Sequence, residues 1–390
     1  MAKAGGKGGL LLSPCFPQAT CKYEYKEERT DMNTQLTKPN KIQPPNPCGS
    51  DSARIAQMVR ACALGETQSH GPVSVIPIVE EGLSEGPDYL SLGEAMDSAS
   101  MVVTEVSEEG FVPILRVRNL SPNKILLLDG EELEGAKQNR VLNTTVLIPA
   151  EQEVTIPVSC SERGRWRYKG KFFEDSGVIM AKKAQYHKSS SVSVNLKSNE
   201  SYASNQGQVW ESINCLYSKY QDSFSPTEAM HDVFKQKESL LEDYLDHFPC
   251  VEGQRGMVLF AEGELVGCEV LSRTGPYRRC HPKIVKSFCI DLLDLPVEKD
   301  DKMGSSEKAK EWLDSIENWK SERFKSLGEG EDLRLKNGVS HGNALVAEDT
   351  VVHFVGFAPH VIRDDERGRS GRWGMNREEG RDRPGHWEEL

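Results

Sequence analysis

A succession of short apolar runs bounded by turn residues fills the first half of this chain, and it limits the possible folds more than any other feature. Runs of β-branched and aliphatic residues between Gly, Pro, Asn or Ser predict β-strands. LNTTVLIPA and EVTIPVSC predict a hairpin that turns at Glu151 and Gln152. The other predicted strands are SVIPIV (74–79), MVVTEV (101–106), VPILRVRN (112–119) and KILLLDG (124–130).

Apolar residues at helical spacing replace this pattern in the second half. QGQVWESINCLYSKYQ has the spacing of an amphipathic helix. Ser225, Pro226 and Glu228 form the sequence of a capping box and predict the start of the next helix. PKIVKSFCIDLLDL and EKAKEWLDSIENWKSERF predict two further helices.

Two stretches near the end of the apolar sequence repeat one pattern. MVLFAEGELVGCEV and NALVAEDTVVHFVG each contain a strand, a turn that opens with Ala-Glu, and a second strand. They predict neighbouring hairpins of one sheet. The fold class is therefore α+β, with a β-rich N-terminal half coupled to a helical and mixed α/β C-terminal half.

Both ends of the chain lack the apolar residues that a core requires. Residues 1–52 are rich in Gly, Pro, Lys, Asn and Gln, and residues 359–390 alternate arginines with acids. We expect disordered tails there, and the charge mixture of the second makes it a candidate contact for a protein or RNA partner. One domain is predicted over 53–358, with its β-rich half at 53–173 and its helical and α+β half at 174–358.

Composition excludes several classes of protein. Of 390 residues, 37% are hydrophobic, and no apolar run approaches the roughly 20 residues that span a bilayer. The three leucines near the start are fewer than the roughly 7 to 15 apolar residues of a secretory signal. A formal net charge of −12 argues against broad nucleic-acid binding. The 10 cysteines include no CxxC pair, so we expect free thiols in a cytoplasmic protein with no membrane contact.

Acids and bases lie close together in LLLDGEELEGAKQNR, residues 126–140. Asp129-Gly130 predicts a turn at a strand end, because Gly tolerates positive φ. Adjacent carboxylates raise one another's pKa or need a cation between them. Lys137 and Arg140 could neutralise these acids, or could hold an anionic substrate while a carboxylate acts as base. The alternative is an exposed acidic turn, which is the commoner use of a charge run.

Cations and aromatic residues alternate in SCSERGRWRYKGKFF, residues 159–173. An extended strand would place the five cations from Arg163 to Lys171 on one face, and Trp166 and Tyr168 on the other. Such a basic face suits a phosphate, a nucleotide or an acidic protein. Alternatively, the aromatic face packs on the core and the basic face is only solvated.

Three further features have a structural reading beside the chemical one. Cys160 could be a nucleophile activated by nearby arginines, but a cysteine that ends a strand is more often a small buried hydrophobe. His231 has no metal-ligand spacing around it and is more often structural or exposed. The acidic turn SLGEGEDLR (326–334) could hold a metal or cap a strand. Phosphate-loop, dinucleotide-binding and GxSxG motifs are absent from the sequence.

These ordered motifs resemble the ARG-and-rhodanese-phosphatase-superfamily-associated protein domain family. The resemblance covers about residues 64 to 358. It rests on the run LLLDGEELEGAKQNRVLNTTVLIPA followed by VTIPVSC, Glu162 and GRWRY, and on NQGQVWESI, SPTEAMHDVF, YLDHFP and GEDLRL. The family name implies, by association only, a link to ADP-ribose or related nucleotides, and it supplies no reaction to transfer.

The matched motif positions define the candidate site. This sequence departs from the family pattern at Arg163, where a neutral residue is usual, and by an inserted Gly330. The matches are Asp129, Gly130, Glu131, Glu132, Gly135, Lys137, Gln138, Asn139, Arg140, Asn143, Cys160, Glu162, Arg165 and Trp166.

Two functions remain open. In the first, Glu131, Glu132 and Glu162 provide acid–base or metal-binding oxygens in a hydrolase or transferase that acts on a phosphate-bearing, nucleotide-like molecule. The ligand-binding residues would be Asp129, Lys137, Gln138, Asn139, Arg140, Asn143, Arg165 and Trp166. In the second, the chain is a binding or scaffold module, and Glu131–Arg140 and Glu162–Arg165 are structural ion pairs. The sequence identifies no cofactor and does not settle whether the protein is an enzyme.

Overall fold

The computed structural model describes residues 51–82, 86–107, 113–199, 201–220, 222–296 and 302–359. Most of both predicted tails therefore lies outside the described residues. Helix α1 takes in the last two residues of the predicted N-terminal extension, and both are buried. In the described part of the chain, no helix is both long enough and apolar enough to cross a bilayer.

The first half of the described chain is mostly strand. Its elements are α1 (Asp51–Arg60), β1 (Cys62–Leu64), β2 (Gln68–His70), β3 (Val73–Glu80), β4 (Tyr89–Ser91), α2 (Leu92–Asp97), β5 (Met101–Glu105), β6 (Ile114–Asn119), β7 (Lys124–Leu127), β8 (Glu131–Gly135), β9 (Arg140–Leu142), β10 (Val146–Ile148), β11 (Glu153–Cys160) and β12 (Phe173–Ile179).

Helices come next, before strands return. These elements are α3 (Lys182–Asn199), α4 (Gln206–Lys219), α5 (Met230–Gln236), α6 (Glu238–His247), β13 (Gln254–Ala261), β14 (Glu264–Leu271), α7 (Thr274–Cys289), α8 (Ser306–Ser315), a 3-10 turn (Ile316–Asn318), β15 (Lys320–Lys325), β16 (Glu331–Asn337), β17 (Ser340–Ala347) and β18 (Thr350–Phe357). The fold is α+β, as the sequence predicts.

The strands of the described residues form three sheets. A nine-stranded antiparallel sheet has the order β1-β3-β13-β14-β18-β17-β16-β15, with β2 also paired to β3. A six-stranded antiparallel sheet runs β12-β8-β9-β11-β6-β5. A three-stranded sheet runs β10-β7-β4, in which β4 and β7 are parallel.

Alternation along the central strands places apolar side chains on both faces of the large sheet. In β3, Ile76 and Ile78 pack under α1 and α8, whereas Val73 and Val75 face the opposite side, toward α4 to α7. Because both faces are covered, β13 and β17 are buried at every position. A third core, which includes Leu115 and Leu133, lies between the two smaller sheets.

The two repeated hairpins are neighbours, as predicted. β13 pairs with β14, β17 pairs with β18, and β14 pairs with β18 between them.

The predicted hairpin at Glu151 and Gln152 is wrong, because its two strands join different sheets. β10 pairs with β7, whereas β11 pairs with β6 and β9. The Asn119 side chain donates to the carbonyl of Pro149, and the Asn119 backbone N–H donates to the carbonyl of Gln152. These bonds hold the turn against the end of β6.

The predicted capping box is also wrong, since α5 begins at Met230. The Ser225 hydroxyl accepts hydrogen bonds from the backbone N–H groups of Thr227 and Ala229, and Glu228 has a φ of 51°. Ser225 therefore organises a turn that precedes the helix.

The last predicted helix extends too far. α8 stops at Ser315, and Lys320–Lys325 forms strand β15 on the edge of the large sheet. Trp319 has an extended backbone, with φ −75° and ψ 140°, so the helical path ends before it.

Candidate functional site

Strands β8, β9 and β11 position most of the predicted site residues. Glu132, Val141 and Ser159 are aligned across the three strands, and so are Leu133, Arg140 and Cys160. Aligned residues of neighbouring strands share a face, and adjacent residues face opposite sides. Val141 packs in the core with α4 to α7, whereas Leu133 packs in the core of the small sheets. Glu132 and Arg140 therefore lie on opposite faces of one sheet.

Glu131 forms a buried ion pair with a helix. Its Oε1 lies 2.9 Å from Nζ of Lys283 in α7, and its Oε2 accepts from the Leu128 backbone N–H at 2.8 Å. Lys283 also contacts Asp175 at 2.6 Å. Burial raises the pKa of Glu131, and Lys283 opposes that rise. The expected Glu131–Arg140 pair is thus wrong, because Glu131 lies at the start of β8, beside α7.

Asp129 belongs to a larger set of buried polar side chains, which we call the buried charge network. Its carboxylate contacts Nζ of Lys188 in α3, and it accepts from Nδ2 of Asn343 in β17 at 3.1 Å. The network members are buried and comprise Asp129, Thr144, Thr145, Lys182, Gln185, Lys188, Ser189, Glu269, Asp332, Arg334, Asn343 and His353.

The buried charge network balances its charges pairwise. Lys182 Nζ lies 2.5 Å from Glu269, which also contacts His353 at 3.2 Å. Burial opposes ionisation of Glu269, but Lys182 and His353 outweigh it and lower its pKa to about 2. Arg334 contacts Asp332 at 2.5 Å. The network thus contains three cations and three carboxylates, and its Lys182–Glu269 pair joins α3 to the large sheet.

Glu132 lies beside a histidine. Its Oε1 accepts from the Ser161 hydroxyl at 2.6 Å. Its Oε2 lies 3.4 Å from Nδ1 of His231, within ion-pair distance, but neither of these two atoms makes a hydrogen bond of normal geometry among the described residues. The contact with Glu132 raises the pKa of His231, although burial opposes it. A buried carboxylate behind a partly exposed imidazole is an arrangement that can transfer protons. The sequence alone favours a structural or exposed His231. It does not reveal the Glu132 partner, because α5 and β8 are far apart in the chain.

Glu162 and Arg165 form the structural pair that the scaffold hypothesis expects. Arg165 Nε lies 2.9 Å from both carboxylate oxygens of Glu162. Its remaining nitrogens donate to the carbonyls of Gly135, Ala136 and Arg167 and to Oδ1 of Asn139. Arg165 therefore clamps the β8–β9 turn, and the protein itself occupies all three of its nitrogens.

The basic segment 163–171 is not a strand, which corrects the prediction of a two-faced ribbon. It forms an irregular loop, since Arg163 and Gly164 hydrogen-bond to the carbonyl of Thr227 and Arg165 turns inward. Trp166 and Tyr168 are both about half exposed. They flank the Lys137 ammonium, which lies 5.3 Å and 5.1 Å from the two ring centroids.

Arg140 is fully buried on the other side of this turn. Its Nη1 donates to Oε1 of Gln138 at 3.0 Å, and its Nη2 lies 3.8 Å from Oε1 of Glu105. Among the described residues, Nε and Nη2 of Arg140 and both carboxylate oxygens of Glu105 make no hydrogen bond of normal geometry. Burial raises the pKa of Glu105, and Arg140 opposes that rise.

Cys160 and Asn143 have structural environments. Burial raises the pKa of Cys160, so its thiol is not activated, and it donates to Gln138 Oε1 at 3.3 Å. Asn143 Nδ2 donates to the Tyr202 carbonyl at 3.1 Å, and its Oδ1 accepts from Ser159 at 2.6 Å.

The acidic turn 326–334 does not gather its carboxylates. Glu329 contacts Lys124 at 2.5 Å, and Glu331 contacts Arg323 at 2.7 Å. Asp332 belongs to the buried charge network. Each acid of this turn thus has its own cation.

The predicted site residues therefore separate into groups. Gln138, Arg140, Lys137 and Trp166 lie together, Glu162 joins Arg165 and Asn139, and Glu132 joins His231. Asp129, Glu131 and Asn143 have partners elsewhere in the core. The sequence does not predict three partners of these residues, namely Lys188, Lys283 and Glu105. Each occupies an ordinary helix or strand position outside any recognisable motif.

A comparison with known families agrees with the motifs. The sequence model described as ARG and Rhodanese-Phosphatase-superfamily-associated Protein domain matches residues 61–357. The chain belongs to this family. The ARG and Rhodanese-Phosphatase-superfamily-associated Protein domain thus includes every strand from β1 to β18, and with them all strands of the large sheet. No curated protein and no solved structure matches the chain.

Proposed function

We propose that the family domain binds a small anionic, phosphate-bearing molecule beside Lys137, Arg140 and Trp166, a group that we call the Arg140 site. The observation that carries the proposal is the Arg140 guanidinium, which is fully buried while two of its three nitrogens make no hydrogen bond among the described residues. Buried N–H donors without acceptors are costly, and a phosphate or carboxylate oxygen would satisfy them.

The surroundings of Arg140 suit such a ligand. Lys137 adds a second cation, and the Trp166 ring lies 5.9 Å from the Arg140 guanidinium carbon. An exposed indole face can stack on a base or a sugar. Burial raises the pKa of Glu105, although Arg140 opposes that rise, and this lowers the cost of protonating the carboxyl when a phosphate oxygen approaches.

A chemical step in this proposal would rely on different residues. Of the three carboxylates expected to be catalytic, Glu131 and Glu162 have cationic partners, which leaves Glu132 with His231 as the acid–base pair. Glu132 lies on the opposite face of the sheet from Arg140. Ligand binding at the Arg140 site and catalysis by Glu132 therefore need separate tests. The ADP-ribose connection rests on the family name, and hydrolysis or transfer on such a molecule is the reaction class to assay.

Titration calorimetry on the full chain tests the binding. ADP-ribose, NAD and inorganic phosphate are the ligands, and Arg140→Gln and Trp166→Ala are the test variants. We expect saturable binding that Arg140→Gln weakens by about 10- to 200-fold, the value of a charged hydrogen bond of roughly 1.5–3 kcal/mol. Arg163→Gln is the matched control, because Arg163 is exposed and faces Glu228.

Two outcomes would contradict the proposal. One is the absence of heat for every ligand. The other is equal affinity in the Arg140→Gln and Arg163→Gln chains, provided that circular dichroism shows both to be folded.

A scaffold function is the second candidate, and the buried charge network favours it. Asp129–Lys188 and Lys182–Glu269 link α3 to different neighbours with almost no exposure to water. A module whose charged residues only maintain shape would bind none of the ligands above, so the same calorimetry separates the two functions.

A further inference from the structure

Two histidines and an aspartate converge where β2 meets α6, far along the chain from the Arg140 site. His70 ends β2, and its Nε2 lies 2.9 Å from Oδ2 of Asp243 in α6. Asp243 and His247 are one helical turn apart and therefore share a face of α6. One potential ligand atom from each residue lies within 4.8 Å of the others. We call these residues the His70 cluster.

The backbone of α6 orients one of the two imidazoles. His247 Nδ1 lies 2.7 Å from the carbonyl oxygen of Asp243. A carbonyl cannot donate, so Nδ1 carries the proton and Nε2 keeps its lone pair in the neutral ring. A histidine bound to a metal commonly has this arrangement, with one nitrogen donating to a carbonyl and the other free to coordinate.

The second imidazole stacks on the first. The rings of His70 and His247 are 3.8 Å apart at an interplanar angle of 24°, and the Tyr244 ring meets His70 edge-on at 5.0 Å. A metal ion between His70 Nε2 and Asp243 Oδ2 would take the place of their direct contact.

Exposure and ligand type favour one class of ion. The three side chains are 29%, 53% and 46% exposed, so an ion can reach them from solvent. Two imidazole nitrogens and one carboxylate oxygen suit Zn²⁺ and its neighbours, whereas Mg²⁺ and Ca²⁺ prefer oxygen ligands. Three protein ligands with water in the fourth position form a regular open zinc geometry.

We propose that His70, Asp243 and His247 bind one divalent transition-metal ion, with Zn²⁺ as the cellular ion. Binding turns the two rings out of their stack so that their lone pairs converge, a movement that exposed side chains can make. The ion would tie β2, which pairs only with β3 among the described strands, to helix α6.

Cobalt spectroscopy on the untagged full chain tests the proposal. Chelator-treated protein is titrated with Co²⁺ alone, in the wild-type chain and in His70→Ala, His247→Ala and His187→Ala. We expect one equivalent of Co²⁺ with visible absorption of low coordination number and no thiolate charge-transfer band. The two cluster variants should lose that equivalent, while His187→Ala keeps it because His187 lies in α3, away from the cluster.

Asp243→Asn provides a second variant of nearly unchanged shape, and it should weaken Co²⁺ binding in a chain of unchanged circular dichroism. Two results would overturn the proposal. In one, His70→Ala and His247→Ala bind as much Co²⁺ as the wild-type chain. In the other, all of the bound Co²⁺ shows the thiolate band, which would assign it to cysteines such as the exposed Cys215.

Discussion

Arg140 and Arg165 lie in the same pair of matched motifs and carry the same charge, yet the fold uses them differently. Arg165 donates to a carboxylate, an amide and three backbone carbonyls, so it completes the turn that surrounds it. Arg140 is more deeply buried but has fewer acceptors. The motif alone cannot separate these roles, since the difference depends on which backbone carbonyls the turn presents.

His341 is a buried histidine with a direct effect on stability. It packs against the rings of Tyr186 and Phe357, at 4.3 Å and 4.9 Å between centroids. Burial, with repulsion from Arg334 and Lys336, lowers its pKa from the usual 6.5 to about 3. The folded chain therefore keeps His341 neutral in a pH range where the unfolded chain protonates it.

This depressed pKa predicts an acid-side loss of stability. The contribution of His341 to the free energy of unfolding is fully present above pH 6.5. It is lost as the pH falls from 6.5 toward 3, at about 1.4 kcal/mol per pH unit. Urea unfolding at pH 7.5 and 5.5 measures the difference in free energy. In His341→Gln that difference should shrink by about 1.4 kcal/mol. An unchanged difference would show that His341 does not titrate as the structure implies.

At the level of elements, strands were more predictable than the connections between them. The apolar runs at β3, β5, β6 and β7 predict strands correctly because β-branched and aliphatic residues favour a pleated, buried surface. The loop after β11 has equally good alternation but forms no strand. Arg165 in this loop turns inward to bind Glu162 and the β8–β9 turn. The alternation of residue types along the sequence does not reveal such partners.

The connection before β16 shows how tightly two sheets approach each other. Glu329 bridges to Leu147 of β10, and a Cβ added at Gly328 would overlap the carbonyl oxygen of Leu147. This contact joins the edge of the three-stranded sheet to the turn before β16.

Gly328→Ala should therefore destabilise the protein by about 1–3 kcal/mol, the usual range for overpacking, as measured by thermal or urea unfolding. Gly275→Ala is the matched control, because its added Cβ meets no atom within 4 Å, and alanine in α7 should be neutral or slightly stabilising. If the two variants were equally stable, the backbone around Gly328 and Leu147 would have to accommodate the added methyl group without loss of stability.

On the scale of the whole molecule, the buried charge network connects parts that the sequence presents separately. Asp129 precedes β8, yet its carboxylate contacts both Lys188 in α3 and Asn343 in β17. The α+β class could be predicted from local patterns, whereas the candidate site residues remain a prediction from the family motifs. The partners of those residues could not be predicted, because each ion pair joins distant segments.

These links predict a single cooperative unfolding transition, seen at the same urea concentration by circular dichroism and by tryptophan fluorescence. Lys188→Met leaves the buried carboxylate of Asp129 without its cation and should cost about 3–5 kcal/mol while the transition stays single. Lys286→Met removes a pair whose carboxylate, Glu242, is half exposed to solvent, and it should cost less than about 1 kcal/mol. Two separate transitions in the wild-type chain would contradict the coupling.

A buried set of three positive and three negative groups also constrains how related sequences can diverge. Exchange of one member leaves a lone charge out of reach of water, so a viable change must alter its partner as well. In divergent members of the family, Asp129 and Lys188 should then change together, and so should Lys182 and Glu269. Lys286 and Glu242, which form a partly exposed pair, should vary independently of each other.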